Sequence, residues 1–209
     1  MRLSLILLAA MAGPTSALAA DGPVIDPAAA KARFETLFAD LCEGALRFGL
    51  FGDYAPETHE IVLPPRYAGG GERRFVLYGF PCNRGAYNAT SVWLVEGEHG
   101  GLMPASFASP QLEFTYSDAR ETVLESYAVV GFATSVELVN AGFDPGTRTM
   151  ADFGKWRGLG DASSSGRWEF TDGGFVLREY EVDPTLDGEI DPFVAYRADA
   201  EPQRPAPPD

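Results

Sequence analysis

Apolar side chains return along this chain in two different rhythms, and the switch between them divides it. Asp26 followed by Pro27 offers an N-cap and a proline for a first helical turn, after which Phe34, Leu37, Phe38, Leu41 and Cys42 recur at three- and four-residue spacing. This pattern predicts one amphipathic helix ending near Gly44. From there the apolar runs shorten and are punctuated by Gly, Pro and Asp: Phe75 to Phe80, Val92 to Val95, Leu112 with Phe114 and Tyr116, Val129 to Leu138, Trp168 to Phe170, Phe175 to Tyr180, and Phe193 to Tyr196. Such runs read as strands. The sharpest hairpin signal is Arg167 to Thr171, then Asp172-Gly173-Gly174, then Phe175 to Tyr180, with glycines for the positive φ of a tight turn and Trp168 and Phe170 on one face. No regular strand–helix alternation appears, so the expected fold is α+β: mostly antiparallel β-sheet with one N-terminal amphipathic helix packed on it.

A separate apolar run opens the chain. Arg2, the stretch Leu3 to Ala12 and the small-residue site Ala17-Leu18-Ala19 read as a signal peptide over residues 1–19. The run is too short to span a bilayer and no second one follows, so the expected product is a soluble periplasmic protein without membrane insertion after cleavage. Residues 20–199 are expected to form a single compact mature domain. Residues 200–209, with proline at 202, 205, 207 and 208, read as a disordered tail.

Charge narrows the partners. The formal net charge is −14, and loss of Arg2 with the leader makes it −15, which argues against phosphate backbones and anionic lipid surfaces. The partner expected is an envelope protein or a small molecule, with no nucleic acid, and a basic partner would be steered faster than an acidic one. Cys42 and Cys82 are the only cysteines, and in an oxidising compartment they read as a disulfide; two buried thiols are the alternative.

Catalytic signals are thin. His59-Glu60 begins like the zinc-protease helix motif, but Leu63 stands where the second histidine belongs. Glu96-Gly97-Glu98-His99 lies in a glycine-rich turn where solvated charge is ordinary. Ser163-Ser164-Ser165-Gly166 lacks the spacing of a nucleophile elbow and reads as a flexible polar loop. Asp183, Thr185, Asp187 and Glu189 place oxygen donors at alternate positions as in a calcium loop, but Val194 occupies the closing glutamate's place, so a solvated acidic turn is favoured and no resident cofactor is expected. In Arg157-Gly158-Leu159-Gly160-Asp161 two glycines let the chain turn while arginine and aspartate stay close, as a clamp or as part of a ligand site.

These segments also carry a resemblance. Asn140-Ala141-Gly142-Phe143-Asp144-Pro145, Phe153 to Asp161, Gly166-Arg167-Trp168, Phe175-Val176-Leu177 and the turn Asp187-Gly188, preceded by Cys82-Asn83-Arg84-Gly85-Ala86-Tyr87-Asn88 and Trp93, resemble the bacterial exported family known as domain of unknown function 1176, over about residues 72–198. The resemblance implies export and no established activity. It also implies a cysteine pair at positions that here hold Ala162 and Asp187, so that one staple is lost together and another kept.

The leading reading is a non-catalytic binding or interaction module whose site, if the two family-like segments converge, uses Tyr87, Asn88, Arg157 and Asp161. The alternatives are a hydrolase of a cell-envelope polymer with Asp161 and Asp172 as its carboxylate pair, and a calcium-stabilised envelope module.

Overall fold

The computed structural model describes residues 25–98 and 100–198; the predicted leader, His99 and the predicted tail lie outside the described residues. Asp26 caps the first helix, α1 (Pro27–Leu37), its Oδ1 accepting from the amides of Ala28 and Ala29 with Pro27 in the first turn, as the sequence predicts. The single long helix does not form. α1 ends at Leu37 and a separate turn, α2 (Glu43–Leu46), follows. The Cys42–Cys82 disulfide and the packing of Gly44 against the end of a strand pull the chain aside: a Cβ at Gly44 would stand 2.9 Å from the Cys82 carbonyl oxygen. Phe34, Phe38 and Cys42 are buried, whereas Leu37 and Leu41 are more than a third exposed.

The remainder is antiparallel sheet. Strands β1 (Glu57–Leu63), β2 (Arg73–Arg84), β3 (Ala89–Glu96) and β4 (Leu102–Pro104) form one sheet in that order. β5 (Phe107–Tyr116) and β6 (Leu124–Ser135) make a two-stranded hairpin, and β7 (Glu137–Val139) returns to pair with β3. β8 (Gly142–Asp144), β9 (Thr149–Lys155), β10 (Ser163–Thr171), β11 (Gly174–Asp183) and β12 (Phe193–Arg197) form the second five-stranded sheet. Among the described residues no helix is long and apolar enough to cross a membrane.

β2 explains the layering. Val76, Tyr78, Phe80 and Cys82 face the helices, with Phe80 stacked on Phe34 at 4.5 Å between ring centroids. Phe75 and Leu77 face the second sheet, in a core with Ile61, Trp93, Phe107, Met150, Trp168 and Phe170. A strand buried on both faces reads as a continuous apolar run, which is why Phe75 to Phe80 showed no alternation. Two tryptophans lie across strand glycines: a Cβ would stand 2.6 Å from Trp93 at Gly79 and 2.1 Å from Trp168 at Gly166.

The predicted hairpin is present, with a two-residue turn: Thr171 pairs with Gly174, while Asp172 (φ 53°) and Gly173 (φ 91°) both take positive φ. The run Val129 to Leu138 is two strands, because Ser135 and Glu137 bond to each other around Val136 and redirect the chain from the hairpin to the first sheet. Ser163 to Gly166 is a correction too: it is the start of β10, Ser163 is buried, and no flexible loop is present there. Strand β1 escaped the sequence reading because its buried apolar positions, Ile61 and Leu63, are few and share their face with the polar Glu57 and His59. His59 Nε2 sits 2.7 Å from Glu57 Oε1 on this strand.

Candidate functional site

The turn between β2 and β3 and the loop between β9 and β10 meet at one end of the two sheets, and this brings Tyr87, Asn88, Arg157 and Asp161 together. Asn88 Nδ2 donates to the Lys155 carbonyl (2.8 Å), and Asn88 Oδ1 accepts from the Lys155 amide (3.3 Å). Tyr87 Oη donates to the Trp156 carbonyl (3.3 Å), and its ring lies 3.6 Å from where a Gly158 Cβ would be. Within the loop, Trp156 N donates to Ala162 O (2.9 Å) and Gly160 N to Arg157 O (3.0 Å), with Gly160 at φ 83°. The left-handed conformation at Gly160 is open to glycine at little cost.

Asp161 is the anchor. It is fully buried, and Arg157 grips its carboxylate in a fork, Nε to Oδ1 at 2.6 Å and the terminal nitrogen to Oδ2. Oδ2 also accepts from Gly188 N at 3.0 Å, which ties the β11–β12 turn to the loop. A buried carboxylate needs this pairing, because an uncompensated one would be strongly destabilising. The same contact sets the 161–162 corner beside the 187–188 turn, where the family resemblance implies a cysteine pair.

Asn140 is a member of the site that sequence reasoning passed over. At φ 45°, it receives the Ala89 amide on Oδ1 (2.9 Å) and gives Nδ2 to Asn88 Oδ1 (2.9 Å) and Phe153 O (2.9 Å). One side chain thus joins the first sheet to the second. The signal available was an asparagine before Ala-Gly, a residue type that tolerates this backbone region.

Above this polar base stand apolar side chains in water. Trp156 is 45% exposed, Leu159 65% and Tyr87 43%. Trp156 is steadied by Nε1–H donation to Ser164 Oγ (3.2 Å) and by the Phe114 ring at 6.2 Å.

Asp152, on the inner side of β9, was also missed. Burial pushes its carboxyl up to about 6, against the amide hydrogen bonds from Gly166 and Val139 that favour the charged form. With the folded value above the unfolded one, the folded state holds the extra proton between about pH 4 and 6, so stability is greatest below that window and falls as pH rises through it. Asp152→Asn removes this loss. It is expected to raise stability at pH 7.5 by up to about 3 kcal/mol and to flatten the pH dependence, measured by urea unfolding at pH 4.5 and 7.5.

The hydrolase alternative loses its carboxylate pair. Asp161 and Asp172 flank opposite ends of β10, whose nine residues separate them by roughly 30 Å, far too much for a glycosidase pair. Asp172 is moreover paired with Arg66 and Arg73, and the Arg66 hydrogen bond holds it below the usual carboxylate range, which is wrong for a general acid. Arg66 and Glu98 line a groove of about 500 Å³ that also takes in Phe75, Val95 and Phe175. The calcium-like run is a self-bonded turn: Asp183 Oδ1 accepts from the Thr185 amide and hydroxyl, Oδ2 from Asp191 N, and Asp187 Oδ1 from Glu189 N. Among the described residues no group of three or more His, Cys, Asp or Glu is placed to hold a metal ion.

Fold and site together define a β-rich, disulfide-tied module with a clamped apolar loop at one end. Residues 72–191, more than half of the chain, match the family described as Protein of unknown function (DUF1176), and the chain belongs to that family. It is similar to the Uncharacterized protein YpfG of Escherichia coli (strain K12), 30% identical over 107 residues that make up 51% of this chain and 26% of the relative. The matched stretch therefore spans about a quarter of that relative's length. No solved structure matches the chain.

Proposed function

We propose that this chain is an exported, periplasmic binding module that recognises an envelope protein or small molecule through Tyr87, Trp156 and Leu159. The observation that carries the reading is the pairing of exposed large apolar side chains with a base that is rigid and polar. Asn88, Arg157 and Asp161 hydrogen-bond to the loop and tie it to Asn140 and the β11–β12 turn, so they act as its support, while Tyr87 belongs to both base and surface. Holding aromatic and aliphatic groups in water costs free energy that a partner recovers on covering them, and a pinned loop loses little entropy on binding. The leader-like first nineteen residues and the Cys42–Cys82 bond support export.

The test is chemical crosslinking in a periplasmic extract with the oxidised protein and its Leu159→Asp variant. Leu159 is exposed enough for this change to alter stability by no more than about 0.5 kcal/mol. A partner held by the native chain and lost from the equally stable variant is expected; identical partners with both would remove the surface from consideration.

A further inference from the structure

We infer that the groove lined by Arg66 and Glu98 binds an apolar α-amino acid, its ammonium held by Glu98 and its carboxylate by Arg66. The groove lies at the Asp172 end of β10, away from the clamped loop at the Asp161 end, and its volume of about 500 Å³ is of the size that small-molecule sites occupy. The β10–β11 turn forms one side of it: a Cβ at Gly173 would stand 3.1 Å from the Phe75 ring. Phe75, Val95 and Phe175, which belong to or pack on the core between the sheets, line it together with Met103, which is 64% exposed.

Four charged side chains meet here, and they are not equally committed. Arg73 donates Nε to the Pro64 carbonyl (3.0 Å) and a terminal nitrogen to Asp172, and Asp172 also accepts from Arg66 Nε (2.8 Å). Arg73 and Asp172 are therefore the frame of the cluster. Glu98 differs: its side chain is only 20% exposed, yet the arginine nitrogens paired with it, from Arg66 at 3.6 Å and from Arg73 at 3.8 Å, stand beyond hydrogen-bonding distance. A mostly buried carboxylate held this loosely is an acceptor that a ligand's ammonium group can satisfy. Arg66 is half-exposed and gives its Nε–H to Asp172, which leaves the terminal nitrogens of its guanidinium for a ligand's carboxylate.

The lining selects the ligand class. Arg66 and Glu98 put opposite charges 3.6 Å apart, and an α-amino acid carries its ammonium and carboxylate on a single carbon, close enough together to meet both. A ligand with a carboxylate alone would come up against Glu98 and Asp172 in a chain of net charge −14, and one with an ammonium alone would come up against Arg66 and Arg73. A wholly apolar ligand would cover the Arg66–Glu98 pair without replacing the water it loses. The zwitterion compensates both groups, and Phe75, Val95, Phe175 and Met103 receive its apolar side chain.

Isothermal titration of the purified, oxidised chain with L-phenylalanine and L-leucine is the experiment, each compared with the acid and the amine that lack its other charge: hydrocinnamate and phenethylamine, isocaproate and isoamylamine. A dissociation constant below about 1 mM is expected for at least one amino acid, with both of its single-charge analogues weaker by at least about tenfold. Glu98→Gln and Arg66→Gln, which keep side-chain size and remove one charge each, are expected to weaken binding at least about tenfold, while Leu159→Asp at the other end of the sheets leaves it unchanged. The analogue comparison uses the native chain and so does not depend on the stability of any variant. No binding of either amino acid up to about 10 mM, analogues that bind as tightly as the amino acid, titrations unaltered by both groove variants, or loss of binding in Leu159→Asp would overturn the inference.

Discussion

Replacing Cys42 and Cys82 together by alanine is expected to lower the unfolding free energy by about 4 kcal/mol, the chain-entropy cost of reopening a loop of 40 residues. Both cysteines are fully buried in the helix-facing core with Phe34, Phe38 and Phe80, so the small volume lost adds to the entropic term. The bond also determines local shape. It draws the chain after α1 onto the end of β2, where Gly44 N donates to Asn83 Oδ1 (2.9 Å) and Asn83 Nδ2 donates to Leu41 O (2.9 Å). Urea unfolding of the oxidised protein and the double variant measures the loss, and proteolysis near α1 and α2 should rise in the variant before the sheets open. An unfolding free energy within about 1 kcal/mol of the native chain's would mean that packing alone holds this layer.

Gly166→Val is expected to be at least as damaging, at about 4 kcal/mol, because the new Cβ would fall 2.1 Å from Trp168. Trp168 has nowhere to retreat. It is buried, its Nε1–H donates to Ala108 O (2.7 Å), and Phe107 meets its ring edge-on at 5.4 Å. Displacing it would break the hydrogen bond that ties the β5–β6 hairpin to the second sheet as well as the packing. In a Trp168→Ala background the same valine should cost much less, and that difference, read from paired urea titrations, isolates the clash. Equal costs in the two backgrounds would show that the strand tolerates the valine by other means.

The parts of this architecture visible in the sequence were those governed by short-range chemistry. Asp26-Pro27 marked the start of α1, Asp172-Gly173 marked the hairpin, and the even cysteine pair marked the bond between helix and sheet. Strand β2 was legible as an apolar run, but only its neighbours reveal that it separates two cores. Parts set by long-range contacts were silent. The helix was overextended because Leu37 and Leu41 kept its period, while the pull of Cys82 on Cys42 acts across 40 residues. Ser163 to Ser165 looked like a loop by composition and became strand because β9 and β11 hydrogen-bond to either side. At the candidate site, Tyr87, Asn88, Arg157 and Asp161 were named from two segments seventy residues apart, and the structure brings them together. Trp156 and Leu159 were overlooked because apolar residues inside a glycine-rich segment give no period, and their exposure follows only from the clamp beneath them.

Amide hydrogen exchange of residues 155–162 tests most directly whether this surface is presented by a pinned loop. The Trp156 and Gly160 amides, bonded to Ala162 O and Arg157 O, are expected to exchange at least about a hundredfold more slowly than unstructured amides despite their place at the surface. Exchange at the unprotected rate, while the amides of β2 and β10 stay protected, would contradict a rigid platform and with it the proposed recognition surface.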